Sequence, residues 1–455
     1  MLKNNLLFLL LISCILSQEI PNQFYEHKIK ELNLGLRNNW EENTNFGPIR
    51  YSKLSTNDSL IIDSRFGYTR DSNRRILYGY GHFTYNRYFH AYLYPRIVNE
   101  PFLINGYSGI QMDISRGGFT SGETDMSGIC FENDWMIIQL GRGRQSWGAG
   151  NDIQLALSKE SNSYDYAMLG LDFGKLNVRY FHGFLEADSM RNNRYITGRG
   201  IEWNNGKSFL IGISEIIIYS GQNRSIDFSY FNPISTHLEI ELNERQNNIG
   251  TASGNGVWQI SFDYLFMQKF RLSGNYLFDE FTLDKEQLNA GKGPGRAHSF
   301  KVLYTMFHKN KTIASLYLSN ISVGTNTFKH QIGNNNFVQR GKPLGWQIGS
   351  DSEELKIGLN IGYNNIIASI ELGLRNIGEK NIYNEPYHGY TDYLDIPFPS
   401  GNVETINFGI SRVQWWWKQN LSIFSEFHYH HSNFSKKSLD FNLGIDIFFS
   451  LKTKL

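Results

Sequence analysis

From residue 403 to the end of the chain, apolar and polar side chains alternate with a period of two. Leu439, Phe441, Leu443, Ile445, Ile447 and Phe449 share one parity, while Asp440, Asn442, Gly444 and Asp446 take the other. One segment earlier, Leu421, Ile423, Phe427 and Tyr429 alternate with Ser422, Glu426, His428 and His430. This period predicts β-strands. Strands of about ten residues, greasy on one face and charged on the other, suit a closed barrel in a bilayer better than a soluble sandwich. Trp415, Trp416 and Trp417 fall beside a turn between two of these strands. Indole favours the membrane–water boundary, with its ring toward lipid and its N–H toward water.

The same grammar runs upstream. Trp258, Ile260, Phe262, Tyr264 and Phe266 form one lipid-facing set. Phe270, Leu272, Tyr276 and Phe278 form the next, followed by Leu355, Ile357, Leu359, Ile361 and Tyr363. Asp263, Arg271, Asn275, Asp279, Lys356, Asn360, Glu371 and Arg375 would then point into the lumen. Parity should be strict, because an outward Lys or Arg near mid-bilayer costs about 2–4 kcal/mol. Ile76–Tyr85 and Tyr88–Ile97 read as a first hairpin turning at Asn86-Arg87, with Ile110–Ser115, Ser127–Glu132 and Trp135–Leu140 as further segments. The segments outnumber the expected barrel strands, so some belong to loops. The expectation is an all-β transmembrane antiparallel β-barrel with an even number of strands, near 18.

Turns and connections set an orientation. Tight turns are expected at Gly174-Lys175, Asn205-Gly206, Met267-Gln268, Lys309-Asn310, Asn364-Asn365 and Trp417-Lys418. Longer connections are expected at Glu186–Arg194, Glu244–Asn255, Phe281–Ala297, Gly324–Glu353, Ile377–Asn402 and Ser432–Lys437. Bacterial barrels keep short turns in the periplasm and long loops outside. The alternation is unbroken from Gly256. Upstream it requires Ile226–Phe231 to count as an extra short strand.

The first residues read differently. Met1–Ser17 has Lys3, a short apolar core from Leu6 to Leu16 and a small residue at Ser17, the pattern of a signal peptide for export to the bacterial outer membrane. Leu11-Ile12-Ser13-Cys14 also fits a lipoprotein cleavage site, and both options stay open. Residues 18–58 form an N-terminal helical, periplasmic segment in this reading: Phe24, Ile29, Leu32, Leu36 and Trp40 recur about three or four apart. Residues 59–455 are then the barrel. Removal of Met1–Ser17 leaves Cys130 alone, so no internal disulfide is expected.

Composition narrows the options. With 44 Lys+Arg against 43 Asp+Glu in 455 residues, charge is balanced and no nucleic-acid partner is implied. Aromatic residues reach 15%, which favours girdled strands. Catalytic signatures are missing. Gly141-Arg142-Gly143 and Gly148-Ala149-Gly150 precede no helix, so they do not read as a phosphate loop. His428 and His430 share a strand face while His431 looks away, which argues for a polar rim over a metal site. No cofactor and no enzyme activity are expected; an outer-membrane hydrolase is the weak third option.

Three local patterns do stand out: Gly141-Arg-Gly-Arg-Gln-Ser-Trp-Gly-Ala-Gly150 with Ile153–Leu157 after it; Tyr230-Phe231-Asn232-Pro233 with Tyr276-Leu-Phe-Asp-Glu280; and Arg340-Gly-Lys-Pro-Leu-Gly-Trp-Gln-Ile-Gly-Ser-Asp351. In order and spacing they resemble the capsule assembly Wzi family of outer-membrane proteins, from about Arg142 to the C-terminus. The resemblance implies a barrel of eighteen strands with an N-terminal helical part. It also implies a lectin-like, non-enzymatic role at the cell surface in attaching or organising capsular polysaccharide. The chain departs from many barrels in ending on Leu455 and not on an aromatic residue, and the region before Gly141 matches poorly.

Sugar binding has a physical case of its own. Sugars present hydroxyls and flat C–H faces, which proteins meet with aromatic platforms and planar paired hydrogen-bonding groups. Candidate polysaccharide-binding residues are Arg142, Arg144, Trp147, Arg340, Lys342, Trp346 and Asp351. The alternative for the same residues is that they pin loops to the barrel wall. Surface polysaccharide, outer-membrane lipid and a capsule-export machinery are the partners this reading names. The alternative function is a passive, porin-like solute channel.

Overall fold

The computed structural model describes residues 59–454 apart from 87, 105, 151, 248–253, 268, 280–288, 290–294, 310–311, 390–396 and 419. The expected signal peptide, the helical segment at 18–58 and Cys14 lie outside the described residues. Cys130 is buried and forms no disulfide among the described residues.

Eighteen long strands make the wall. They are β1 (Ser59–Arg70), β2 (Arg75–Tyr85), β3 (Phe89–Val98), β4 (Ser121–Glu132), β5 (Met136–Gly143), β6 (Tyr164–Asp172), β7 (Leu176–Ala187), β8 (Asn192–Asn204), β9 (Phe209–Gln222), β10 (Asn255–Phe266), β11 (Phe270–Phe278), β12 (Arg296–Lys309) and β13 (Thr312–Val323), then, after a loop hairpin of β14 (Val338–Gln339) and β15 (Lys342–Pro343), β16 (Ser352–Tyr363), β17 (Ile366–Ile377), β18 (Glu404–Lys418), β19 (Leu421–Ser432) and β20 (Ser438–Lys454). Each wall strand pairs antiparallel with its neighbours in sequence, and β1 pairs with β20 from Ser59↔Lys454 to Arg70↔Leu443. The sheet therefore closes, and every wall strand has a partner on both edges.

Short and long connections segregate as the turn rhythm predicts. At one end sit tight turns such as Asn205-Gly206, where Asn205 Oδ1 accepts from the N–H of Lys207 at 2.9 Å and Ser208 at 2.8 Å. At the other end lie the segments 99–120, 144–163, 223–254, 324–351 and 378–403. Some expected boundaries move. Ile226–Phe231 is no strand: Phe228–Phe231 is a 3-10 turn, followed by a six-residue helix α1 (His237–Leu242). The alternation needs no extra strand, because among the described residues between β9 and β10 only this turn and this helix occur. Ile110–Ser115 is likewise loop. The connection expected at Glu186–Arg194 shrinks to 188–191, and β18 runs through Lys418 past the expected turn.

Parity holds along the wall. Ile260, Tyr264, Phe266, Leu355, Ile357, Ile361 and Tyr363 are exposed on the outside, whereas Asp263, Arg271, Asn275 and Lys356 are buried within. Asp263 and Arg271 form a lumenal ion pair, and Arg375 binds Glu354 at 2.6 Å. Trp203, Phe266, Tyr363, Trp415 and Trp417 lie beside the tight turns and are exposed, as a girdle requires. Trp416, between the last two, points inward and is buried.

The upper lumen departs from the polar interior that alternation implies. Phe181, Ile196, Ile216, Val257, Leu277 and Ile321 point inward and join loop residues in one dry cluster. The run Ile216-Ile217-Ile218-Tyr219 is apolar on both parities and buried throughout. Such a run marks a strand covered on both faces. Loops from the long-loop end cover it inside, and the 223–254 connection covers it outside.

Candidate functional site

The first glycine-rich motif leaves the wall at Gly143 and turns into the lumen. Trp147 is fully buried, edge-on to Phe181 at 5.2 Å, and its indole N–H donates to Gln145 at 3.1 Å. The chain then crosses to the far wall. The Ala149 N–H donates to Asn275 Oδ1 at 2.6 Å, and Ser299 donates to the Ile153 carbonyl at 2.6 Å. Gly148 is required here: its φ is +123°, and a Cβ would lie 2.7 Å from Asn275 Oδ1. Asp152 lies between Lys301 at 2.5 Å and Lys356 at 2.9 Å. Burial alone would raise its carboxyl, but the two ammonium groups more than reverse this and hold it well below the usual carboxylate range.

The third motif packs against the first. The Trp346 N–H donates to the Leu155 carbonyl at 3.1 Å, and the Ser158 N–H to the Leu344 carbonyl at 3.0 Å. Gly345 touches Leu155 so closely that a Cβ would sit 1.7 Å from its carbonyl oxygen. Trp147, Leu155, Leu157, Phe337, Leu344 and Trp346 thus make a plug with a hydrophobic interior. Asp351 is buried and knits two loops together, accepting from Thr325 Oγ1 at 2.8 Å, the Ser400 N–H at 2.9 Å and the Lys380 N–H at 3.0 Å. Lys329 lies in the same loop, its ammonium donating to the Lys380 carbonyl. Burial pushes Lys329 down to about 8, despite the opposing pull of Asp351 and Glu385.

The β14–β15 hairpin lifts its tip out of this frame. Arg340 and Gly341 both have positive φ, 50° and 74°, as a two-residue hairpin turn needs. Gln339 anchors its root, donating to the carbonyls of Ser163 at 3.2 Å and Leu185 at 3.1 Å. Arg340 and Lys342 therefore reach the mouth. Arg340 Nη1 donates to the Ser108 carbonyl at 2.7 Å, while Arg142 Nη2 donates to the Ser108 hydroxyl at 3.3 Å. Lys342 donates to the Tyr383 hydroxyl at 2.9 Å and sits 5.0 Å from the centre of its ring.

Beside this tip is a cleft of about 350 Å³ lined by Lys342, Gln347, Ile348, Asn381, Tyr383 and Asn384, with Glu160 and Glu404 on its rim. Gln347 donates to Glu160 at 2.8 Å. Tyr383 is 46% exposed and Tyr387 41%. The Tyr387 hydroxyl donates to Glu186 at 2.7 Å and accepts from the Gly341 N–H at 2.9 Å.

The seven residues named from sequence therefore divide. Arg142, Arg340 and Lys342 gather at the mouth. Trp147 and Asp351 have no exposed surface, Trp346 has 8%, and Arg144 is held by Asp125 Oδ2 at 3.1 Å and the Ser161 carbonyl at 2.8 Å. Tyr383, Tyr387, Asn384 and Glu160 were missed. Their only sequence signal was the length of the connections that carry them.

No protein-family model matches the chain, and no curated protein matches it in sequence. Solved structures do match. Wzi of Escherichia coli, described as an outer membrane protein involved in group 1 capsule assembly and a carbohydrate-binding β-barrel, superposes with a TM-score of 0.62 at 14% identity, covering 86% of this chain and 85% of that one. Pseudomonas aeruginosa OprD matches with a TM-score of 0.44 at 9% identity over 87% of this chain and 96% of that one. OpdK of the same species, solved with vanillate, gives 0.45 at 8% over 86% and 98%. The likeness to Wzi shows that this chain has the fold of that outer-membrane β-barrel.

Proposed function

We propose that the chain binds surface polysaccharide at the outer mouth of the barrel, lectin-like, in capsule assembly or attachment. The carrying observation is the open cleft beside Lys342 and Tyr383, set on a lumen that two interlocked loops fill with a dry core. An aromatic face, a cation and several amides within one cleft of this size match the sugar's C–H faces, any acidic groups and its hydroxyls. Arg142, Arg340 and Lys342 are the ligand-facing candidates in this reading. Arg144, Trp147, Trp346 and Asp351 hold the frame that presents them. The carbohydrate-binding description of the Wzi structure supports the same direction.

The test is retention of purified capsular polysaccharide on immobilised protein, comparing the native chain with a Lys342→Ala/Tyr383→Ala double variant. Heat-modifiable migration on gels checks that each barrel is folded. Loss of retention with a folded barrel is expected. Unchanged retention would remove the mouth assignment, and large steady currents in planar bilayers would favour a solute channel instead.

A further inference from the structure

The outer wall of β7–β10 breaks the parity rule. Tyr180, Arg199, Glu215 and Trp258 are successive cross-strand partners in one row. In the row two residues nearer the tight turns, Ile201, Ile213, Ile260 and Tyr276 are paired in the same way and exposed. Arg199 and Glu215 therefore point away from the lumen, yet they are only 6% and 1% exposed. Glu215 stands six residues above Phe209, about 15 Å up a tilted strand, within an apolar band about 25 Å tall. Ions bare to lipid at that depth are expensive.

The chain covers them itself. The segment from Asn223 to Asn247 folds down over the outside of the barrel. Tyr230 stacks on Tyr219 at 4.6 Å, and Phe231 on His182 at 4.5 Å. Ile240 of α1 joins Ile217, Tyr219 and Tyr195 in a second small core. His237 Nδ1 lies 2.7 Å from Glu215, and Arg199 donates to the Asn232 carbonyl at 2.8 Å. Gly256 on β10 leaves room for the His237 ring, which a Cβ would meet at 2.5 Å.

The other side of this cover is also apolar. Ile226, Phe228, Ile234, Leu238 and Leu242 are exposed, Leu242 at 79%. Leu238 and Leu242 are one turn apart on the face opposite Ile240. A helix apolar on both faces needs two apolar neighbours. One is the barrel wall. We propose that the other is the acyl region of the outer leaflet, so that the segment 223–247 is a lipid-immersed cover over a buried Arg199–Glu215–His237 cluster. Two observations select lipid as the occupant. The cover lies on the outer wall over the Arg199–Glu215 row, next to the exposed lipid-facing row of Ile201, Ile213 and Ile260 two residues nearer the tight turns. The chain after the helix returns Arg245 to Glu239 in an exposed ion pair, chemistry suited to the headgroup level. This inference rests on the membrane barrel and not on the polysaccharide reading.

The experiment places an environment-sensitive fluorophore on single cysteines at Leu242→Cys and Phe228→Cys, with Lys437→Cys in the β19–β20 loop as the aqueous control. The unsubstituted protein, whose Cys130 is buried, sets the background. Full-length protein is reconstituted into phosphatidylcholine vesicles with or without nitroxide-labelled acyl chains. Blue-shifted emission at 242 and 228, quenched by the nitroxides and not by aqueous iodide, is expected. Water-like emission quenched by iodide overturns the proposal. So does cysteine cross-linking between two copies at 242 without nitroxide quenching, which would make a second copy the occupant. Either Cys position alone decides the matter if the other variant fails to fold.

Discussion

Asp152→Asn isolates the plug from the wall. Asp152 is the anion that ties the 144–163 loop to two lysines on the strands either side of β13, Lys301 on β12 and Lys356 on β16. Removing one partner of a buried ion pair typically costs about 3–5 kcal/mol, because the remaining charge is left without compensation. Here the loss is smaller. Lys356 retains Glu371 at 3.5 Å, Lys301 retains the face of Tyr317 at 4.1 Å, and the Asp152 side chain is 28% exposed. About 2–3 kcal/mol is therefore expected, roughly a 30- to 150-fold rise in the population of the undocked loop. Hydrogen exchange reads this directly. The Trp147, Ser158 and Trp346 N–H groups, each bonded within or between the two loops, should exchange faster by that factor. Amides in β1, β2 and β20, on the opposite wall, should not change. Equal exchange in the native chain and the variant would refute the claim that Asp152 fastens the plug. The same carboxylate sets a pH sign. Its folded value is depressed, so its contribution is complete above the ordinary carboxylate range and fades as pH falls through the lowered value. The native plug should stay closed at mildly acidic pH and loosen only in strong acid, while the Asn variant should show neither the contribution nor its loss.

Other outcomes follow from the same geometry. Trp147→Ala empties a fully buried indole site and should destabilise the folded loops by about 3–5 kcal/mol, seen as rapid limited proteolysis between residues 144 and 163. Gly345→Ala should separate the two loops, since its methyl would overlap the Leu155 carbonyl; increased conductance with intact heat-modifiable migration is the expected record. Ile357→Arg, on the lipid face, should cost about 2–4 kcal/mol in urea titrations of vesicle-embedded protein. Lys329 has a folded value of about 8 against an ordinary 10.5, so between those values the unfolded chain holds more protons and stability should rise with pH. That rise should vanish in Lys329→Met, judged from the shift in urea midpoint between pH 7.5 and 10 (both roughly at the edges of that window).

Alternation made most of the wall readable. Ile260 to Phe266 and Leu355 to Tyr363 face lipid as their parity requires, because one face of each strand meets acyl chains and the other meets charge. Tight turns were readable too, since Asn and Gly at 205–206 supply the backbone conformations such turns need. The loops were not. Nothing local says that Trp147 will turn inward and pack on Phe181, because that contact joins a loop residue to a distant strand and depends on the closed wall. The paired hydrogen-bonding chemistry that made Arg144 and Asp351 look like sugar ligands is the same chemistry that fastens loops, and only burial separates the two uses. Arg199 and Glu215 posed the converse problem. On parity alone they would be errors in lipid, and part of the covering segment that resolves them, Ile226–Phe231, was the stretch the alternation needed as an extra short strand.

The two covered faces of β9 connect these points. Its inner residues Ile216 and Ile218 join the plug core, while its outer residues Ile217 and Tyr219 join the core beneath α1. One strand is thus clamped between a loop inside the barrel and a segment outside it. A wall clamped in this way resists the breathing that an open channel tolerates, and the plug's described interior is apolar. The polar groups that remain accessible near the plug, Arg340, Lys342, Tyr383 and Asn384, belong to the mouth. A rigid wall beneath a polar, aromatic cleft keeps those groups at fixed spacing, so a large ligand can be held from above with little ordering cost to the protein. Every contact described within the plug opposes its displacement from the lumen.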